Sequence, residues 1–186
     1  MTVIIFALLA IMAVFYFIYV SLIKKKNKVK EASSGIDVQL KKRYDTIPNL
    51  LSMASKYMSF EENLLKEITQ LRTQAMETSF LKNPKESVKL ENKLSSKLKE
   101  FNVSVENYPD LKSSQPMVQA MSSLSDVEEN IAAARRFYNA AVNDLNNAVE
   151  IFPSSLIANM LNIKQAVFFE TPENEKQSIQ AGDYFK

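Results

Sequence analysis

The chain has 186 residues, 46% of them hydrophobic, and a formal net charge of +2. It contains no cysteine and no histidine, which excludes disulfides, thiol nucleophiles and zinc ribbons and removes the commonest general base and transition-metal ligand. Two glycines, Gly35 and Gly182, leave no glycine-rich phosphate loop and little turn chemistry for a β protein, so composition points to a helical protein without catalytic chemistry.

After two leading residues (1–2), Val3 to Val20 is an unbroken run of 18 apolar side chains, extended by Leu22 and Ile23. Residues 3–23 as a helix span roughly 31 Å, matching a hydrocarbon core of about 30 Å. Tyr16 and Tyr19 lie at the end where interfacial aromatics belong. A cleaved signal peptide would need basic residues before the run, a shorter apolar stretch and a small-residue cleavage site; here the lysines follow it. The segment therefore reads as an uncleaved membrane anchor.

Residues 24–30 hold Lys24, Lys25, Lys26, Lys28 and Lys30 and no acid. Positive charge after a first span keeps that side in the cytoplasm, which predicts an outward N-terminus and a cytoplasmic domain. Without those five lysines, residues 31–186 carry 18 basic and 21 acidic side chains, a net of −3. Duplex affinity comes mainly from neutralising phosphates, so nucleic acid is not an expected partner.

Residues 31–153 read as an antiparallel up-down four-helix bundle with long first and last helices, an all-α domain behind the anchor. Ile36, Leu40, Tyr44, Ile47, Leu51, Ala54 and Met58 advance by fours and threes along one helical face. Pro48 falls inside that run and removes the hydrogen bond to the Tyr44 carbonyl. Ser59 and Glu62 read as a capping box opening a second helix, with Leu64, Ile68, Leu71 and Ala75 on its stripe. Asn83 as N-cap and Pro84 at the first helical position open a third, with Leu90, Leu94, Leu98, Phe101 and Val105. Residues 107–116 contain two prolines and no periodicity, and read as a loop. From Met117 to Phe152 the four-three spacing returns, and Pro153 ends it. Residues 154–169 are apolar again, a short helix and an extended piece. Residues 170–186 read as a mobile polar tail.

Several of these segments closely resemble the LemA family: SSGIDVQLKKRYDTIPNLL (33–51), ENYPDLK (106–112), ENIAAARRFYNAAVNDLNNAVEIFP (129–153) and LIANMLNIKQAVFFE (156–170). The resemblance implies a single-pass bacterial membrane protein with a helical domain. Some relatives are linked to internal membrane formation and others lie near membrane protease genes, so the resemblance fixes architecture and not chemistry. Phe60 stands where members often carry His, and Met160–Leu161 replace a usual Gly–Phe-like pair.

Without histidine, paired carboxylates such as Glu61–Glu62 point in different directions on a helix, and the serines have no nearby base. No catalytic, cofactor-binding or metal-binding residue is therefore assigned, and no small-molecule substrate is identified. Arg135 lies on the apolar stripe between Ile131 and Tyr138. A buried arginine needs a partner: antiparallel counting brings Asp37 and Asp45 within reach, with Glu128 one heptad up as another, and Asp37, Asp45 and Arg135 are the candidate structural ion pair. Tyr108 and Asp110 at the distal tip are candidate docking residues. Helix lengths leave Val142, Leu145, Val149 and Phe152 without partners from the two shorter helices. Either the 154–169 segment, with Leu156, Ile157, Phe168 and Phe169, folds back over that strip, or another copy covers it. The expected function is a non-enzymatic, membrane-anchored, self-assembling scaffold whose partners are the lipid bilayer and further copies. The alternative is an adaptor or regulator of a membrane enzyme such as a protease.

Overall fold

The computed structural model describes residues 1–169; the predicted mobile tail, 170–186, lies outside the described residues. Among the described residues every regular element is helical. Helix α1 runs unbroken from Thr2 to Ala54, so the apolar run, the lysine segment and the first helix of the domain are one rod. It is long and apolar enough near its N-terminus to cross a membrane, and none of its most apolar window is buried within the protein.

Pro48 does not end α1. The carbonyl of Tyr44, which has lost its i+4 donor, accepts a hydrogen bond from Arg72 Nε at 2.6 Å. A neighbouring helix thus repairs the ladder at the one place where the sequence breaks it. The rod ends at Ala54, four residues before the expected Met58, and its last carbonyls are taken up by Ser55, Tyr57 and Met58.

The second helix starts differently from the sequence reading. Ser59 opens a 3-10 turn, Ser59–Glu61, and makes no side-chain cap; α2 follows as Glu62–Glu77. Ser59 begins the 3-10 turn three positions ahead of the α-helix, which places its hydroxyl too early to reach the orphan amides. The Asn83 signal holds: its side chain accepts from the Glu86 amide at 3.4 Å, and Pro84 is the first residue of α3, Pro84–Val105. Within the expected loop 107–116 lies a one-turn helix, α4 (Pro109–Lys112), which buries Leu111 completely. Helix α5 covers Gln115–Glu150, and α6 covers Ser154–Met160.

Helix α1 lies chiefly along α5, and α2 chiefly along α3. The main core joins Ile36, Leu40, Ile47, Ile68, Leu94, Phe101, Ile131 and Tyr138. A second cluster nearer the apolar run joins Leu22 of α1, Leu145 of α5, Ile157 and Ala158 of α6, and Ile163. Helix α6 ends at Met160, and two residues later Asn162 turns left-handed with a φ of 51°. Ile163 N–H bonds to the Ala158 carbonyl at 2.9 Å and Asn162 N–H to that of Asn159 at 3.1 Å. These two bonds make a Schellman cap, in which Asn serves where Gly is usual. The cap turns residues 163–169 back along α5.

Candidate functional site

The densest polar cluster lies in the middle of the domain. Arg43 and Glu91 are both fully buried. Arg43 Nη1 donates to Glu91 Oε2 at 2.7 Å, and Arg43 Nε to Glu128 Oε1 at 2.7 Å. Arg43 Nη2 donates to Ser95 Oγ at 3.0 Å and also to Glu128 Oε2, so the guanidinium grips Glu128 with two nitrogens. The hydroxyl of Tyr44 donates to the second oxygen of Glu91. Burial, reinforced by the charge of Glu91, pushes the Tyr44 phenol well above its usual pKa, so it stays a donor across the physiological range. One residue on α1 thereby binds carboxylates on both α3 and α5, and every nitrogen of its fork is used.

Sequence reasoning placed the buried cation at Arg135; the structure places it at Arg43. The signal was present, because Arg43 stands three residues after Leu40 and four before Ile47, on the apolar stripe. Glu91 likewise stands three before Leu94 and beside Leu90. The expected partners go elsewhere. Asp45 sits on the surface, bridged to Lys41 at 3.4 Å one turn away. Asp37 accepts a hydrogen bond from the Phe80 backbone, while partial burial raises its pKa. Arg135 lies over the face of Phe169, 4.3 Å from the ring centroid.

Glu128 is the part of the network that reaches the surface, with 39% of its side chain exposed. Beside it, a groove of about 270 Å³ between α3 and α5 is lined by Ser95, Leu98, Asn102, Met121 and Leu124, among others. Among the described residues no group of three His, Cys, Asp or Glu side chains is close enough to hold a metal ion.

A second feature is a clamp on the C-terminal segment. Asn146 exchanges two hydrogen bonds with the backbone of Ala166, at 2.8 and 3.0 Å, and Asn139 exchanges two with Phe169, also at 2.8 and 3.0 Å. Tyr138 donates to the Val167 carbonyl at 2.8 Å. The spacing explains the fit. Seven helical residues from Asn139 to Asn146 rise about 10.5 Å, and three extended residues from Ala166 to Phe169 cover about 9–10 Å. Each carboxamide thus meets the N–H and C=O of one residue and pairs with them as a strand neighbour would. The inward residues Ile163, Ala166 and Phe169 follow the same step of three. Phe169 ends the row, buried and stacked on Phe80 at 5.3 Å, with Tyr138 edge-on to Phe80 at 5.0 Å.

This clamp settles which of the two expected covers lies over the lower part of α5. Val142 and Leu145 are buried under the chain's own C-terminal segment, not left exposed for another copy. Val149 is half-buried in the same cluster, and Ile157 is buried against Leu22. Phe152 and Leu156 remain 74% and 53% exposed, and Phe168 is 40% exposed. At the opposite end Tyr108 caps α4 half-buried against the core, and Asp110 is exposed in its first turn.

A family model described as the LemA family matches residues 32–181. The chain is also similar to a protein named Protein LemA from Metamycoplasma hominis, 28% identical over 174 residues, covering 91% of this chain and 78% of the relative.

Proposed function

The chain belongs to the LemA family, and from that membership we propose that it is a non-enzymatic, membrane-anchored helical scaffold or assembly protein of the bacterial cytoplasmic membrane. The observation that carries the reading is the single rod Thr2–Ala54, which serves as both apolar span and central packing helix. With 3–23 in the bilayer, residues 24–54 stand about 46 Å above it, and the rest of the domain is fastened to that rod. We read α1, α2, α3 and α5 as an antiparallel up-down four-helix bundle. Lys28 opposite Asp144 and Arg43 opposite Glu128, with residue numbers rising on α1 as they fall on α5, support this arrangement. The buried charges serve packing: both oxygens of Glu91 and the whole Arg43 fork are spent on one another and on Tyr44, Ser95 and Glu128.

The alternative, an adaptor of a membrane enzyme, draws on the far end of the rod. Phe60, 91% exposed, and Tyr57, 48% exposed, follow the end of α1 there, and Asp110 is exposed on the α4 turn. Crosslinking in native membranes followed by purification of the full chain separates the two. A scaffold returns mainly further copies of itself, and a stoichiometric enzyme partner would replace this reading with the adaptor.

The lysines after the span orient the domain to the cytoplasm under this proposal. Protease added to intact spheroplasts is expected to spare the domain and to cut it after lysis. Digestion from outside without lysis would reverse the orientation and remove cytoplasmic partners from consideration.

A further inference from the structure

Four large apolar side chains crowd the corner between α5 and α6: Ile151, Phe152, Leu156 and Met160, between 53% and 82% exposed. They lie in a stretch, 151–163, that contains no charged residue, bracketed by Glu150 and Lys164. Buried at the base of α6, Ile157 and Ala158 pack on Leu22, with Ile18 and Ile23 against the same cluster. Ile18, Leu22 and Ile23 are the closing turns of the apolar run, and Lys24 begins the charged segment. Along α1 the residues packed against this cluster run from Ile18 to Val29, about 7.5 Å to one side of Ile23 and about 9 Å to the other, which places α6 at the end of the run. Interfacial helices lie in the same zone, their apolar faces about 5–10 Å into the boundary between headgroups and acyl chains.

We propose that the α5–α6 corner is a second membrane-contact site, inserted into the leaflet on the lysine side through Phe152, Leu156 and Met160. The proposal rests on residues 3–23 spanning the bilayer. The exposed corner is continuous with the lipid-facing surface of α1, because α6 is packed directly on that helix. Lys24, Lys25 and Lys28 stand at the same level and suit an anionic headgroup layer. An apolar element fixed at that depth meets lipid wherever it does not meet protein. Two contacts, one through the span and one beside it, hold the domain at a set tilt instead of letting it pivot on a single rod.

The chain contains no tryptophan, so single tryptophans report their own surroundings. The full chain, reconstituted in phosphatidylcholine–phosphatidylglycerol vesicles, would carry Phe152→Trp, Met160→Trp, Phe15→Trp within the span or Phe60→Trp at the distal tip. The first two are expected to emit to the blue of the Phe60→Trp protein and to lose emission to lipids brominated near the glycerol end. Phe15→Trp should lose it to bromines near the methyl end, and Phe60→Trp to neither. If Phe152→Trp and Met160→Trp behave like Phe60→Trp while Phe15→Trp is quenched, the span stands and the second contact is overturned. Blue-shifted emission at the corner without lipid quenching puts protein over it, such as a second copy, and also overturns the proposal. If Phe15→Trp is not quenched, the span itself fails and the proposal falls with it.

Discussion

Arg43→Ala is expected to destabilise the domain by on the order of 3–5 kcal/mol, the usual cost of leaving a buried carboxylate without its cation. Glu91 is the residue left behind. It is fully buried, and of its hydrogen-bond partners among the described residues the Tyr44 hydroxyl would remain. Glu128 is partly exposed and can turn to water, so Glu128→Ala should cost clearly less than Arg43→Ala. Denaturant unfolding of the full chain in detergent measures each loss, and the cycle Arg43→Ala with Glu91→Ala isolates the pair. The double variant should be less destabilised than the two single losses combined, because removing both charges leaves neither stranded. Strict additivity would mean that the two do not interact. Replacing both with apolar residues of similar volume, Arg43→Met with Glu91→Leu, should restore most of the stability. That outcome would identify the pair as a device for registering three helices more than for stabilising them.

The distance between what the sequence announces and what the structure contains is clearest at this cluster. Apolar spacing announces helices, and it does so correctly for α1, α3 and α5, because one face of each must be buried. The Asn83–Pro84 start and the Tyr44 carbonyl freed by Pro48 are local consequences of two residues, and both are present in the structure. Arg43 escaped because it follows Lys41 and Lys42 and reads as the end of a solvated basic patch. Its position on the stripe says otherwise, but the carboxylates that make burial tolerable come from 48 and 85 residues away. Partners that distant are set by helix register, which a periodicity argument leaves free. Arg135 occupies a similarly apolar position, and there the guanidinium lies over an aromatic face. The seven-residue step from Asn139 to Asn146 is plain in the sequence. Its meaning required an extended segment whose three-residue advance matches a seven-residue helical one.

Phe169→Ala tests that segment, and its effect should rival that of Arg43→Ala. Truncating a buried phenylalanine costs about 3–5 kcal/mol when the surroundings stay in place. Here the ring is stacked on Phe80 and covered by Arg135, so little can collapse into the gap. The segment has an easier escape than global unfolding, however, because it can lift off α5 as a unit, and the loss is then capped by the free energy of that detachment. Hydrogen exchange distinguishes the two responses. Detachment speeds exchange at the Ala166 amide, now bonded to Asn146, while leaving α1 and α5 protected. Lifting the segment also uncovers Val142 and Leu145, the strip that would otherwise recruit another copy. Phe169→Ala is therefore expected to raise the mass seen by light scattering in detergent, whereas Phe168→Ala, which removes a side chain 40% exposed, should do neither. Unchanged exchange at Ala166 in Phe169→Ala would mean that the asparagine clamp alone holds the segment. Wild-type mass together with rapid exchange would mean that the uncovered strip has no affinity for a second copy, and the self-assembling form of the scaffold would lose that surface.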